Sequence, residues 1–269
     1  MNNSLSYLLV ALGVAACAEG RQVTAPPAAN RTAGISATEA NDAAVRMYDV
    51  TITNLTGGQP LSPGVAATHT KKQSVWRLGQ AASEGIRLIA EDGDNSVALS
   101  SLTGQPGFAD VQAVATPTGC VNCPGPFPAS HTIRISAKAD ANRLSLAIML
   151  ICTNDGFTGL DAVKLPGGFK PETFNTAGYD AGTEVNDELS THIVDPCFAI
   201  GPTSRPPDGN LRTPQSGVIT HHPGILGVGD LIPTVHGWKD PVARITIQRV
   251  KQGKENDEEE TTMRSRGRP

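Results

Sequence analysis

Two acidic loops contain the residues of this chain that are best suited to bind a metal ion. The first spans residues 152–159 (CTNDGFTG) and contains Asp155, and the second spans residues 179–184 (YDAGTE) and contains Asp180 and Glu184. Calcium prefers several carboxylate, amide and carbonyl oxygens on loops that wrap the ion. A turn around the glycine between Asp180 and Glu184 would aim both carboxylates at one point. Aspartate and glycine are also the commonest residues of surface turns, so two ordinary turns remain the alternative.

The residue types that usually carry catalysis lack the spacing that catalysis needs. His221 and His222 with His236 would suggest a zinc hydrolase, but adjacent histidines on a strand face opposite sides and the chain has no HExxH segment. It also has no GxSxG segment and no phosphate-binding glycine motif. We therefore predict that the protein is not an enzyme. The alternative is an envelope hydrolase that acts on polysaccharide or ester with the same acidic loops.

The cysteines indicate disulfides more than zinc. Apart from Cys17, the chain contains Cys120, Cys123, Cys152 and Cys197. An even number in an oxidising compartment suggests up to two disulfides with three possible pairings. Cys120 and Cys123 have the spacing of half a zinc site, but no second such pair is present. The preferred pairing is Cys120 with Cys123 and Cys152 with Cys197.

The start of the chain predicts export. Residues 5–16 form an apolar run of signal-peptide length, and the small residues before Cys17 resemble the lipobox of bacterial lipoproteins. We predict a signal peptide over residues 1–17 and lipid attachment at Cys17, although residues 1–4 lack the usual Lys or Arg. An ordinary secretory signal is the alternative. The expected location is the cell envelope, with a lipid anchor in the outer membrane or at the cell surface.

The two ends of the chain have compositions that are typical of disorder. Residues 18–44 are rich in Ala, Thr, Pro and Asn, and residues 251–269 are highly charged. Such segments cannot bury enough apolar surface to offset the entropy of ordering them. We expect a tether, a folded domain over residues 45–250 and a solvated tail.

The elements that would position the acidic loops are mostly strands. Apolar and polar residues alternate over residues 46–54, 131–139 and 243–250, while residues 143–152 form a nearly continuous apolar run. We interpret residues 131–139 and 143–152 as a β-hairpin, and residues 74–90 as a short helix with flanking strand or loop. With 28 glycines and 20 prolines to make turns, the sequence predicts an all-β fold, an antiparallel β-sandwich.

Charge constrains the partner. The net charge is -4, and the sequence shows no basic stripe of the kind that nucleic-acid binding requires. We expect no nucleic-acid partner, and contact with a membrane only through the lipid anchor. The expected partner is an extracellular or envelope ligand, either protein or glycan.

Several segments resemble the spondin domain, which begins animal F-spondin and mindin and occurs in many bacterial proteins. Residues 154–161 resemble its Ser-Pro-Asp-Trp-Phe-Val-Gly segment, and residues 179–184 resemble its Trp/Tyr-Asp-Ala-Gly-Thr-Asp segment. Residues 78–85 and 90–93 resemble its Gly-x-x-Ala-Ser-x-Gly and Ala-Glu-x-Gly segments. The similarity spans about residues 45–250.

The resemblance implies a C2-like antiparallel β-sandwich that binds Ca²⁺ in its loops. The calcium-ligating aspartates of the family fall on Asp155, Asp180 and position 184, where this chain has Glu184. Glutamate keeps the charge and can bind in a bidentate manner, so affinity is affected more than ligation. The tryptophan of the family is replaced by Gly156 and Phe157. Because animal members act in adhesion, the resemblance suggests a binding or adhesion role at the cell envelope.

Overall fold

The structure is a computed structural model that describes residues 45–115, 117–123, 127–200 and 211–251. The predicted signal peptide 1–17 with Cys17, the tether 18–44 and the tail beyond Lys251 lie outside the described residues.

Strands dominate the described chain. The strands are β1 (Arg46–Asn54), β2 (Leu61–His69), β3 (Phe108–Val114), β4 (Ser130–Ala137), β5 (Arg143–Leu150), β6 (Gly156–Lys164), β7 (Glu172–Thr176), β8 (Gly178–Asp180), β9 (Thr220–His221) and β10 (Ala243–Arg249). The helices are α1 (Glu84–Asp92), α2 (Ser96–Leu102) and α3 (Pro233–His236), with 3-10 turns at Ser190–His192 and Cys197–Ile200.

The strands form two antiparallel sheets, which confirms the predicted antiparallel, mostly β architecture. One sheet has the order β4-β1-β10-β7 and the other has the order β3-β2-β5-β6-β8-β9. Apolar side chains of both sheets meet in one core, where Val50 and Ile52 from β1 lie with Leu146 and Ile148 from β5. The alternation in β1 therefore marks one buried face, as the sequence indicated.

Strand β5 is buried on both faces, which explains its continuous apolar run. Leu146 and Ile148 face the core between the sheets, while Ala147 belongs to a second core that includes Ile86 and Ile89 of α1. Helix α1 begins after Ser83, whose hydroxyl accepts a hydrogen bond from the Ile86 amide at 3.4 Å. A strand covered by a sheet on one side and a helix on the other favours apolar residues on both faces, and in β5 all residues from Leu146 to Leu150 are apolar.

The predicted hairpin between residues 131–139 and 143–152 is wrong. Strand β4 pairs with β1 in the smaller sheet, whereas β5 pairs with β2 and β6 in the larger sheet. Residues 138–142 therefore cross from one sheet to the other. Alternation along a strand reports which face is buried, and it does not report which strand lies alongside.

Both disulfides are present. Cys120 is bonded to Cys123, and Cys152 is bonded to Cys197, which is the pairing preferred from the sequence. The Cys152–Cys197 bond lies in a third apolar cluster that includes Ile225 and Leu231. It ties the segment before β6 to the long loop that follows β8.

Candidate metal site in the acidic loops

The sheet register places Asp155 and Asp180 side by side. Asp155 directly precedes β6, Asp180 is the last residue of β8, and these strands pair Gly156 with Asp180. The Ala181 amide donates to the Asp155 carbonyl oxygen at 3.1 Å. Two loops that are distant in sequence therefore meet at one end of the larger sheet, as the metal-site hypothesis requires.

The carboxylate of Asp155 is fully buried and only half satisfied. Its Oδ2 accepts hydrogen bonds from the Thr183 amide at 2.7 Å, the Thr183 hydroxyl at 3.1 Å and the Glu184 amide at 3.0 Å. Its Oδ1 is buried and accepts no hydrogen bond from the described residues. Burial and the negative charge of Asp180 raise the pKa of Asp155 to about 6. The site thus holds a buried acceptor oxygen that has no partner among the described residues.

Asp180 shapes the turn that surrounds this oxygen. Its Oδ1 accepts a hydrogen bond from the Gly182 amide at 2.6 Å, and its Oδ2 accepts one from the Asn186 side-chain amide. Gly182 has a φ of +72°, and an added Cβ would lie 2.7 Å from the backbone nitrogen of Val218. Position 182 therefore requires glycine, because other residues are strained at this φ and because their Cβ would clash with the Val218 backbone.

Glu184 lies in the same turn, but its side chain is engaged elsewhere. Its Oε1 accepts a hydrogen bond from Asn154 at 3.3 Å, and its Oε2 lies 3.3 Å from the guanidinium of Arg212. Burial raises the pKa of Glu184 to about 8 against the opposing effects of Asn154 and Arg212, and Glu91 and Asp155 raise it further. Both oxygens of Glu184 therefore have partners, as do both oxygens of Asp180, whereas Asp155 Oδ1 has none among the described residues.

The three carboxylates do not form a closed cluster. Among the described residues, the potential metal ligands that lie within 4.8 Å of one another are those of Cys152, Cys197 and His236. Its cysteines are joined in a disulfide and offer no thiolate. Asp155 and Asp180 present the carboxylate oxygens that a hard cation prefers, and Asp155 Oδ1 is the one of these without a partner among the described residues.

Arg212 is a site residue that the sequence analysis missed. It bridges Glu184 to α1 through ion pairs with Glu91 at 3.2 Å and with Asp92. Nothing in the spacing identifies it, because Arg212 lies 28 residues from Glu184 in a segment without regular structure. Together with Arg87, which pairs with Glu91 at 2.6 Å, it places positive charge beside these carboxylates.

Glu188 is the second residue that was missed. Its carboxylate accepts hydrogen bonds from the amides of Leu226, Gly227 and Val228 at 2.6, 2.7 and 3.0 Å. It therefore fixes a glycine-rich loop beside the candidate site. The only sequence signal was the run of glycines, which need an external partner for their backbone amides.

The histidines do not gather around a metal. His221, the last residue of β9, is exposed, and His222, which follows the strand, is half-buried with a pKa lowered by desolvation to about 4. His69 and Ser145 lie 2.8 Å apart, as a base and a nucleophile would, but both are completely buried. A substrate has no access to them, so this pair is structural.

The raised pKa of Glu184 predicts a pH dependence of stability in the metal-free protein. The folded state holds a proton that the unfolded state has lost above its ordinary pKa, so stability falls as pH rises through about 8. Between about pH 6.5 and pH 9 the free energy of unfolding should decrease by about 2 kcal/mol. Desolvation lowers the pKa values of His69, His222 and His236, so these histidines are not the source of a transition near pH 8.

Urea unfolding in the presence of a chelator measures this effect. The Glu184→Gln variant should lose the slope, whereas Glu172→Gln, at an exposed position on β7, should keep it. Equal slopes in the wild type and Glu184→Gln would contradict the assignment.

An antiparallel β-sandwich whose acidic loops meet at one end defines the class of this protein, a β-sandwich module with a candidate cation site. The family model Spondin_N, the spondin N-terminal domain, matches residues 56–191, just over half of the chain. The chain therefore belongs to the spondin N-terminal domain family, which confirms the resemblance. The match includes Asp155, Asp180 and Glu184. No curated protein matches the chain.

The family indicates where the protein acts. Spondin N-terminal domains are extracellular, non-enzymatic modules, so the chain falls among secreted proteins. None of the helices within the described ranges combines the length and the apolar character needed to cross a bilayer.

Proposed function

We propose that this domain binds calcium through its acidic loops and that the ordered loops bind a partner at the cell envelope. Asp155 and Asp180 are the main ligands, and Glu184 is the third. The observation that carries the proposal is the buried Asp155 Oδ1, which accepts no hydrogen bond from the described residues. Leaving such an atom unpaired costs about 1–3 kcal/mol, and a hard divalent cation supplies the missing partner.

Charge supports the same assignment. The pKa of Asp155 is raised by burial and by Asp180, and that of Glu184 is raised by burial, Glu91 and Asp155. Ionised together, these carboxylates repel one another, and a divalent ion converts the repulsion into attraction. Glu184 has to give up part of its contact with Arg212 to join the ion, so we expect it to contribute least to affinity.

Thermal unfolding with calcium and with chelator tests the proposal. Calcium at about a hundred times its dissociation constant should stabilise the protein by roughly 2.7 kcal/mol and raise its Tm. The Asp180→Asn variant should lose this response because it loses a ligand charge. Asp140→Asn changes an exposed aspartate at the other end of the larger sheet and should respond like the wild type. A Tm that does not change with calcium, or a response in Asp180→Asn equal to that of the wild type, would contradict the proposal.

The partner-binding step rests on the surface beside these loops. Val185 and Leu189 are exposed next to Glu184, and Leu226 and Val228 are exposed on the loop that Glu188 holds. Exposed apolar side chains on ordered loops suit a protein or glycan ligand. Attachment of the purified protein to envelope preparations should require calcium and should be lost in Asp180→Asn; attachment that is the same in chelator would refute the adhesion role.

A further inference from the structure

Four basic side chains surround one cavity at the end of the sandwich opposite the acidic loops. The cavity has a volume of about 490 Å³, and its cations are Lys71, Lys72, Arg143 and Lys164. They come from the segment after β2, the first residue of β5 and the last residue of β6. Asp155 precedes the first residue of β6, so the nine residues of this strand separate the cavity from the acidic loops by roughly 30 Å.

The register of the sheet brings like charges together at this cavity. Arg143 and Lys164 are directly paired across β5 and β6. Like charges at directly opposed positions of an antiparallel pair destabilise a sheet. The positive charge of Arg143 also reaches inward, where it adds to burial in lowering the pKa of His69. A local cost of this kind is expected where residues serve binding instead of stability.

None of the four cations has a carboxylate partner in the described part of the chain. The Arg143 guanidinium donates a 3.5 Å hydrogen bond to the Ala162 carbonyl oxygen. Asp140 is the single acidic residue that lines the cavity, and it forms no ion pair with them. The cavity therefore has a surplus of positive charge, which an anion can neutralise.

We propose that this cavity binds the sulfate or phosphate group of an anionic sugar. Its volume is within the range of pockets that hold small molecules. Thr70, Asn142 and Asp140 supply polar groups for sugar hydroxyls beside the cations. The exposed large apolar side chains of the described residues lie elsewhere, so the surface lacks the apolar anchors that peripheral membrane binding uses.

Calorimetric titration of the full chain with sucrose octasulfate, in low salt and with chelator present, tests the site separately from calcium binding. The double variant Lys71→Glu/Lys164→Glu should bind at least about tenfold more weakly. A matched double variant, Lys239→Glu/Arg244→Glu, changes the net charge equally at two exposed positions away from the cavity, and its affinity should change less than about twofold. Added salt should weaken wild-type binding because the attraction is screened.

Three results would overturn the proposal. The first is no binding of sucrose octasulfate by the wild type. The second is an equal loss in both double variants, which would show attraction to net charge alone. The third is binding to vesicles of phosphatidylglycerol and phosphatidylcholine that the soluble sugar does not compete away, which would show a membrane surface as the ligand.

Discussion

Replacing Cys152 and Cys197 together by alanine is expected to lower the free energy of unfolding by about 4 kcal/mol. The two residues are 45 positions apart, and the bond removes the loop-closure entropy of that segment from the unfolded chain. Both cysteines are buried with Met149 and Ile225, so alanine also loses some packing. Urea unfolding of Cys152→Ala/Cys197→Ala measures the loss.

The other disulfide provides an internal control. Cys120 and Cys123 are 3 positions apart, so the same entropic model assigns their bond about 2 kcal/mol. Cys120→Ala/Cys123→Ala should therefore be clearly the more stable of the two double variants. Equal losses would show that loop length does not control the contribution of these bonds.

The strands were predictable where one face is buried and the other is exposed. Strand β1 matches the predicted range, residues 46–54, because Val50 and Ile52 are buried while their neighbours are less so. The neighbour of each strand was not predictable. Residues 138–142 look like a tight turn, yet they connect β4 and β5 across two sheets.

The helical part was only partly predictable. A short helix was predicted within residues 74–90, and α1 extends to Asp92 with Gly85 inside it, where an added Cβ would come within 2.8 Å of the Ala98 backbone. The glycine therefore allows α1 and α2 to pack closely. Helix propensity does not reveal this packing, because it describes each residue without its tertiary contacts.

The candidate site was predictable to the extent that its residues share a short segment. Asp180 and Glu184 are four positions apart, and Asp155 follows a strongly apolar strand. Arg212 was not predictable, and neither was the basic cavity, because Lys71, Arg143 and Lys164 meet only after folding. The sequence shows no basic stripe, while the fold makes a basic cluster.

Phe157→Ala should be among the most damaging single substitutions, with an expected loss of about 3–5 kcal/mol. Phe157 is completely buried, 5.1 Å from the ring of Trp76 and 5.6 Å from the ring of Tyr179. It is also paired with Tyr179 across β6 and β8, two residues after Asp155. Truncation would leave a cavity beneath the strand pair that sets the distance between Asp155 and Asp180.

The loss should therefore appear both in stability and in calcium binding. Phe169→Ala is the matched control, because Phe169 is 45% exposed and contacts Arg249 over its ring at 5.0 Å. Its truncation should cost about 1 kcal/mol or less and leave calcium affinity unchanged. Denaturant unfolding with and without calcium separates the two outcomes. If Phe157→Ala unfolds more easily but binds calcium as tightly as the wild type, the aromatic core supports the fold without positioning the acidic loops.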